Sequence, residues 1–278
     1  MSDAFPGLAG HGRVLGVPGL ADHGRVLGVL DVADVSVRFG GVTALDGVDL
    51  AVGPREVVGV IGPNGAGKTT LFDVISGARR PTTGSIRLDG ADATGRSAAW
   101  RARHGMRRTF QRQQVFGALS VEENLLVALE DRGLRGGVVV DLLGLAGRRR
   151  SAVANRERVA AMIEACGLGA VRNAPSGSLP IGLARIVELA RALVGTPRLL
   201  LLDEPTSGLG EAEAAAFSTV LRAYLAEHPC GVLLVEHDVG FVMDHCDRLV
   251  VLDLGRVIAD GPPDEVRADP EVQRAYLG

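Results

Sequence analysis

One short run of residues, from 62 to 70, has the types and spacing that bind a chain of phosphate groups. It consists of Gly62, Pro63, Asn64, Gly65, Ala66, Gly67, Lys68, Thr69 and Thr70. Glycine at positions 62, 65 and 67 lets backbone N–H groups approach an anion without an intervening Cβ. An apolar, strand-like segment precedes the run and a helix-like segment follows it. The N–H groups then lie at a helix N-terminus, where phosphate binds, so the pattern predicts a P-loop.

Lys68 supplies the positive charge of this loop, and it is the only lysine among 30 basic residues. Its ammonium is a compact point charge, whereas guanidinium is a broad planar group. In a P-loop the lysine reaches the β- and γ-phosphates and the hydroxyl that follows it binds Mg²⁺. We therefore expect ATP and Mg²⁺ here, with Lys68 on the phosphates and Thr69 on the metal. The alternative is a surface lysine that escaped the chain's preference for arginine.

Two further apolar segments end in residues that suit hydrolysis. Four leucines, 199–202, precede Asp203 and Glu204. Successive residues at a strand end point in different directions, so Asp203 can hold the metal while Glu204 acts as general base. The second segment, 232–235, leads to His237. Acids that only cap a strand, and a histidine that is only structural, are the alternatives; the neighbouring P-loop favours the catalytic interpretation.

Composition restricts the class of protein. The chain has 278 residues, of which 46% are hydrophobic and 23% charged, as in ordinary folded proteins of one or two domains. Its aromatic content of 4% and net charge of −3 disfavour nucleic acid as a partner. Cys166, Cys230 and Cys246 lack metal or disulfide spacing and are expected to be buried thiols in a reducing compartment. No apolar run approaches the roughly 18 residues of a membrane span, and no signal peptide is evident, so we expect a cytoplasmic protein.

The order of segments predicts alternating strands and helices after an unusual start. Residues 7–17 recur almost unchanged as residues 19–29, and we interpret residues 1–28 as a flexible duplicated tail. The predicted strands are 31–39, 56–61, 198–203 and 231–235, and a helix continues from the P-loop over 71–76. Residues 120–175 are predicted to be helical, with a first helix from Val121, an amphipathic second helix over 156–166, and a Gly- and Arg-rich stretch, 133–150, between them.

Together these motifs identify a family: over residues 29–278 the chain resembles the ATP-binding subunit of ABC transporters. The resemblance implies an α/β fold with a RecA-like P-loop NTPase core. It also implies an antiparallel β subdomain, an inserted α-helical subdomain at about 112–193, and a C-terminal segment at about 262–278.

Further site residues follow from the resemblance. Phe39, in the sequence Arg38-Phe39-Gly40-Gly41, matches the aromatic residue that stacks on adenine, although a core phenylalanine is the alternative. Thr109-Phe110-Gln111 resembles the Q-loop, whose glutamine, here Gln111, reaches Mg²⁺ and the attacking water. His237 matches the switch histidine that contacts the γ-phosphate. The implied catalytic set is Lys68, Gln111, Glu204 and His237, and the metal set is Thr69, Gln111 and Asp203.

The signature motif departs from the family pattern. In place of Leu-Ser-Gly-Gly-Gln the chain has Leu179, Pro180, Ile181, Gly182 and Leu183. The following D-loop has Gly210 in place of the usual aspartate. In ABC dimers the signature of one subunit faces the P-loop of the other, so these changes would impair the partner's site. The resemblance therefore predicts a heterodimer with a second ABC ATPase that carries a competent signature.

Three other segments resemble the larger ATPase subunit of branched-chain amino acid importers, a group that also imports urea and short amides. They are residues 142–150, 236–243 and 266–278. This implies transmembrane permease partners, an indirectly acting solute-binding protein, and a peripheral location on the cytoplasmic face of the membrane. The Arg148–Arg150 run is expected to be a solvated face, or else a weak contact with anionic lipid. A soluble ABC ATPase of DNA repair or translation, and a regulatory subunit that hydrolyses ATP poorly, are the alternatives.

Overall fold

The computed structural model describes residues 28–109, 114–130 and 145–277. Within them lies an antiparallel sheet of four strands in the order β2-β1-β4-β5. Its strands are β1 Leu30–Phe39, β2 Val42–Val52, β4 Thr83–Leu88 and β5 Ala91–Asp92. This sheet is the predicted antiparallel β subdomain. Apart from Gly28, the predicted duplicated tail lies outside the described residues.

A second sheet of six strands has the order β10-β9-β3-β8-β7-β6. Its strands are β3 Val57–Ile61, β6 Met106–Arg108, β7 Leu199–Asp203, β8 Gly231–Val235, β9 Arg248–Asp253 and β10 Arg256–Gly261. Neighbours run parallel except β10, which pairs antiparallel with β9. All residues of β3 and β8 are buried, as expected for strands covered on both faces. Because parallel strands end at the same edge, the segments after β3, β7 and β8 meet there.

Nine α-helices occur in the described parts of the chain. They are α1 Lys68–Ser76, α2 Ala98–Arg103, α3 Val121–Glu130, α4 Leu145–Ala165, α5 Ile181–Leu193, α6 Glu211–Glu227, α7 Val239–His245, α8 Pro263–Ala268 and α9 Pro270–Leu277. The prediction that the Gly- and Arg-rich stretch 133–150 separates two helices is wrong for its last residues, because α4 begins at Leu145. Arginine and alanine are strong helix formers, and one glycine does not outweigh them. The buried Val159 and Ile163 confirm the amphipathic character of the later part of this helix.

The six-stranded sheet separates two apolar cores. Val58 and Val60 of β3 pack with the antiparallel sheet and α1, whereas Val57 and Ile61 pack on the opposite face with helices α3–α6. This alternation follows from the two-residue period of a strand. The three cysteines are buried and free, in agreement with the prediction for them. None of the described helices combines the length and apolarity needed to cross a membrane.

Candidate functional site

The P-loop connects the end of β3 to the first residue of α1, and its backbone explains its glycines. Gly62, Gly65 and Gly67 have φ angles of 151°, 84° and 106°, a region that side chains disfavour. A Cβ at position 62 would also lie 2.1 Å from the carbonyl oxygen of Leu252. No side chain caps the N-terminus of α1. Its first N–H groups therefore point into the loop, where a phosphate would accept from them.

Lys68 is almost completely buried, with 7% of its surface exposed. Its Nζ donates to the carbonyl oxygens of Gly62 at 2.5 Å and Pro63 at 3.0 Å. Burial lowers the pKa of Lys68, and the negative charge of Glu204 opposes this effect. The loop's own carbonyls thus fix the ammonium beside the N-terminus of α1, where an anionic phosphate would compensate the cost of burying it.

Glu204 follows the last residue of β7 in a constrained backbone conformation. Its φ is 48°, which is uncommon for a residue with a side chain, and its N–H donates to the carbonyl of Val235 at 2.9 Å. The bond holds the turn against the end of β8. Oε1 of Glu204 then lies 2.8 Å from Nε2 of His237. The two residues predicted to act in hydrolysis are therefore in direct contact.

Most of the residues predicted to bind or hydrolyse ATP line one cleft of about 420 Å³. Its lining comprises Ala44, Asn64, Gly65, Ala66, Gly67, Lys68, Thr69, Thr70, Asp203, Glu204, Val235 and His237. The sequence did not indicate Ala44, which the antiparallel sheet contributes from β2. A phosphate-binding loop, two acids and a histidine thus share one cavity, as polyphosphate hydrolysis requires.

The same cleft suits Mg²⁺. Thr69 is exposed in it, and Asp203, at the end of β7, also lines it. No cluster of three or more metal-binding side chains occurs among the residues that the structure describes. Mg²⁺ commonly takes only one or two protein ligands and completes its shell with phosphate oxygens and water. One hydroxyl and one carboxylate beside a phosphate loop therefore fit this ion.

Two side chains that the sequence analysis did not identify, those of Arg108 and Glu236, form hydrogen bonds that hold residues of the site in place. Arg108, at the end of β6, donates to Oδ2 of Asp203 at 3.0 Å. The buried Glu236 accepts from N and Oγ1 of Thr206, at 2.8 and 2.6 Å, and from the N–H of His237 at 3.1 Å. Glu236 thereby connects the segment after Glu204 to His237. Its sequence signal is an acid at the end of a fully apolar strand.

Phe39 lies at the end of β1 and is 41% exposed, so it does not belong to the core. The guanidinium of Arg79 lies 4.2 Å from the centroid of its ring. Phe39 is not among the residues that line the cleft. In α9, burial raises the pKa of Tyr276, and the backbone of Gly62 opposes this effect.

Gln111 lies outside the described residues, but the chain on either side of it is anchored. The N–H of Thr109 donates to the carbonyl of Leu201 at 2.9 Å. On the other side, Arg191 of α5 donates to the carbonyl of Gln114 at 2.5 Å, and the N–H of Gln114 donates to Glu188. The helix that follows the signature motif therefore holds the exit of the predicted Q-loop.

The altered signature motif forms the start of α5, away from the residues that line the cleft. Pro180 is the N-cap residue, and it makes no side-chain capping bond. Ile181 is 43% exposed, and Leu183 packs against the core. A Cβ on Gly182 would lie 2.4 Å from Oε1 of Glu213 in α6, so a larger residue there would require the Glu213 side chain to move. The motif thus exposes the apolar side chain of Ile181 where the family pattern has glycine, and it lacks the polar side chains that the pattern has at positions 180 and 183.

Comparison with known proteins decides the family. A family model described as "ABC transporter" matches residues 45–207. The chain belongs to the ABC transporter family. A second model, described as "Branched-chain amino acid ATP-binding cassette transporter", matches residues 256–278. The family and the fold identify the chain as an ABC ATPase that binds nucleotide, as the sequence predicted.

Its similarity to individual relatives extends over nearly the whole domain. The high-affinity branched-chain amino acid transport ATP-binding protein BraF of Pseudomonas aeruginosa is 41% identical over 244 residues, covering 88% of this chain and 95% of BraF. LivG of Escherichia coli, which has the same descriptive name, is 39% identical over 242 residues, covering 87% and 94%. The crystal structure of an ABC transporter ATP-binding cassette in its ADP conformation superposes with a TM-score of 0.77, at 28% identity, covering 90% and 98%.

Proposed function

We propose that this ABC ATPase powers an importer of branched-chain amino acids or of a related small polar solute such as urea or an amide. The names of BraF and LivG and the match of residues 256–278 support this class of solute. One observation supports hydrolysis above all: the 2.8 Å contact between Glu204 and His237 in the cleft that contains Lys68.

Each of the predicted site residues has a proposed task. Residues 62–70, with Lys68 foremost, hold the phosphates of ATP, and Phe39 stacks on adenine. Thr69, Asp203 and Gln111 would hold Mg²⁺, which would neutralise charge on the phosphates. Glu204 accepts a proton from the water that attacks the γ-phosphorus, while the bond from that phosphorus to the bridging oxygen breaks. His237 orients Glu204 and contacts the γ-phosphate.

The partner is proposed to be a different ABC ATPase. Pro180 and Leu183 lack the hydroxyl and amide of the family's signature, and Ile181 is exposed beside them. Two copies of this chain would therefore face each other's P-loops with a poor signature. In a heterodimer, a competent signature from the partner completes the cleft with Lys68. We place this pair on the cytoplasmic face of the membrane, bound peripherally to transmembrane permeases, with the solute-binding protein acting through them.

Hydrolysis by the chain alone and in the mixed complex tests the pairing. We expect low activity from the chain alone, high activity with the partner ATPase, and a partial gain for the chain alone in the double variant P180S/L183Q. Full activity of the unmodified chain alone would contradict the heterodimer. Lack of activity in every complex would favour a regulatory subunit, and an active ATPase complex that never co-purifies with permeases or membranes would favour a soluble ABC ATPase.

The solute requires a transport measurement. The complete complex in proteoliposomes is expected to take up leucine, isoleucine or valine in proportion to ATP hydrolysed, with Glu204→Gln as the inactive control. Uptake of urea or a short amide instead would show that the importer carries the related small polar solutes. Absence of uptake for all of these, with ATPase activity retained, would refute this group of substrates.

A further inference from the structure

Beyond the proposed function, on which this inference rests only for the identity of the metal, we propose that Arg108 is a positioning residue for the Mg²⁺ site. It is the last residue of β6, beside β7, and its side chain is 13% exposed. One nitrogen, Nη2, donates to Oδ2 of Asp203 at 3.0 Å. The other, Nη1, donates to Oδ1 of Asp73 at 3.0 Å and to Oγ of Ser76 at 2.9 Å.

These bonds connect two of the elements that would supply the metal ligands. Thr69 lies in the first turn of α1, and Asp73 and Ser76 lie further along the same helix. Asp203 ends β7. A single planar guanidinium thus links the helix that carries one ligand to the carboxylate that is another. The link adds to the packing of α1 and β7 in one apolar core, and it acts directly on the ligand side chain.

The link also selects which oxygen of Asp203 faces the metal. Since Arg108 binds Oδ2, the carboxylate cannot rotate without losing a charge-assisted bond, and Oδ1 is left for Mg²⁺ or its water. Partners that orient a ligand in this way typically change metal affinity about 10- to 100-fold when removed. Lysine cannot replace the arginine fully, since one ammonium does not reproduce the two-pronged donor geometry.

Binding of Mg²⁺, measured without turnover, tests this role. The full chain would be loaded with a fluorescent ADP derivative, and Mg²⁺ would be titrated into the wild type, Arg108→Met, Arg108→Lys and Asp73→Asn. Arg198→Met is the matched control, because its ion pair with Asp89 lies at the opposite end of β7 and is about half exposed. Thermal unfolding and nucleotide affinity in the presence of EDTA would be recorded for each protein.

We expect the Mg²⁺ concentration that gives half-saturation to rise about 10- to 100-fold in Arg108→Met, and by less in Arg108→Lys and Asp73→Asn. The nucleotide affinity measured in EDTA should not change. An unchanged half-saturation in a folded Arg108 variant would overturn the inference. An equal loss of nucleotide affinity in the presence and in the absence of Mg²⁺ would also overturn the inference, because such a loss indicates that the ion pair of Arg108 is purely structural. If Arg108→Met does not fold, the Mg²⁺ titrations of Arg108→Lys and Asp73→Asn test the inference in its place. A wild type that binds Mg²⁺-nucleotide but never hydrolyses ATP would refute the proposed function and leave this result standing.

Discussion

Nε2 of His237 and Oε1 of Glu204 lie 2.8 Å apart, at the ends of the neighbouring strands β8 and β7. The Glu204 side chain is 15% exposed and that of His237 is 50% exposed. The histidine can therefore meet a ligand from the cleft while it holds the more buried glutamate. The left-handed backbone of Glu204, at φ 48°, brings the two together. Such strain at a functional site costs about 1–3 kcal/mol and persists where the surroundings over-determine it.

The contact predicts that Glu204 and His237 act as one unit. Glu204→Gln keeps the shape but cannot accept a proton, so hydrolysis should fall about 10²- to 10⁴-fold while ATP binding persists. His237→Ala should also reduce the rate, and the double variant should be little worse than Glu204→Gln alone. Single-turnover rates at saturating ATP give the double-mutant cycle. Fully additive losses would show that the two residues act independently.

Lys68→Ala should abolish hydrolysis at this cleft, and Lys68→Arg should be nearly as damaging. The pocket between the carbonyls of Gly62 and Pro63 accommodates a compact ammonium and leaves little room for a guanidinium. Arg256→Lys, a change at an exposed ion pair, is the control. Hydrolysis would be measured in the complex with the partner ATPase. Substantial residual activity would mean that the partner's P-loop works opposite Pro180, contrary to the predicted asymmetry.

Phe39→Ala should weaken ATP binding by about 1–3 kcal/mol, the usual contribution of a base stacked on an aromatic ring. Inorganic tripolyphosphate has no base, so its affinity should not change, and Phe39→Tyr should bind ATP normally. Because Arg79 covers one face of the ring at 4.2 Å, adenine is expected on the other face. Arg79→Ala should then have little effect. Markedly tighter ATP binding in Arg79→Ala would show that the arginine occupies the adenine face.

The cysteines should react slowly with maleimide in the folded protein. Burial raises the pKa of Cys166 to about 11 and those of Cys230 and Cys246 to about 12. A raised thiol pKa means less thiolate at any pH below it, so labelling should accelerate as pH rises from 7 to 10. Cys166, whose pKa is raised least, should react fastest of the three. Mass spectrometry of peptides from labelled protein measures each rate, and denatured protein is the control. Rapid labelling of Cys230 at pH 8 would contradict the prediction.

The sequence by itself determined the parts of this protein that depend on neighbours along the chain. The P-loop is a local pattern, because glycine conformations and a helix N-terminus act within a few residues. The apolar strands before Asp203 and His237, and the family, could also be recognised from the sequence. The start of α4 was missed because arginine-rich helices and loops have similar composition.

Only the tertiary structure decided how the acids are held. Arg108 meets Asp203 and Asp73 across 95 and 35 residues of sequence, and Glu236 meets Thr206 across 30. Such contacts depend on strand order, since β7 lies between β6 and β8. They also depend on side-chain packing, which leaves no periodic trace in the sequence. In a chain where arginine is the usual cation, composition does not distinguish a positioning arginine from a surface one; its burial and its partners do.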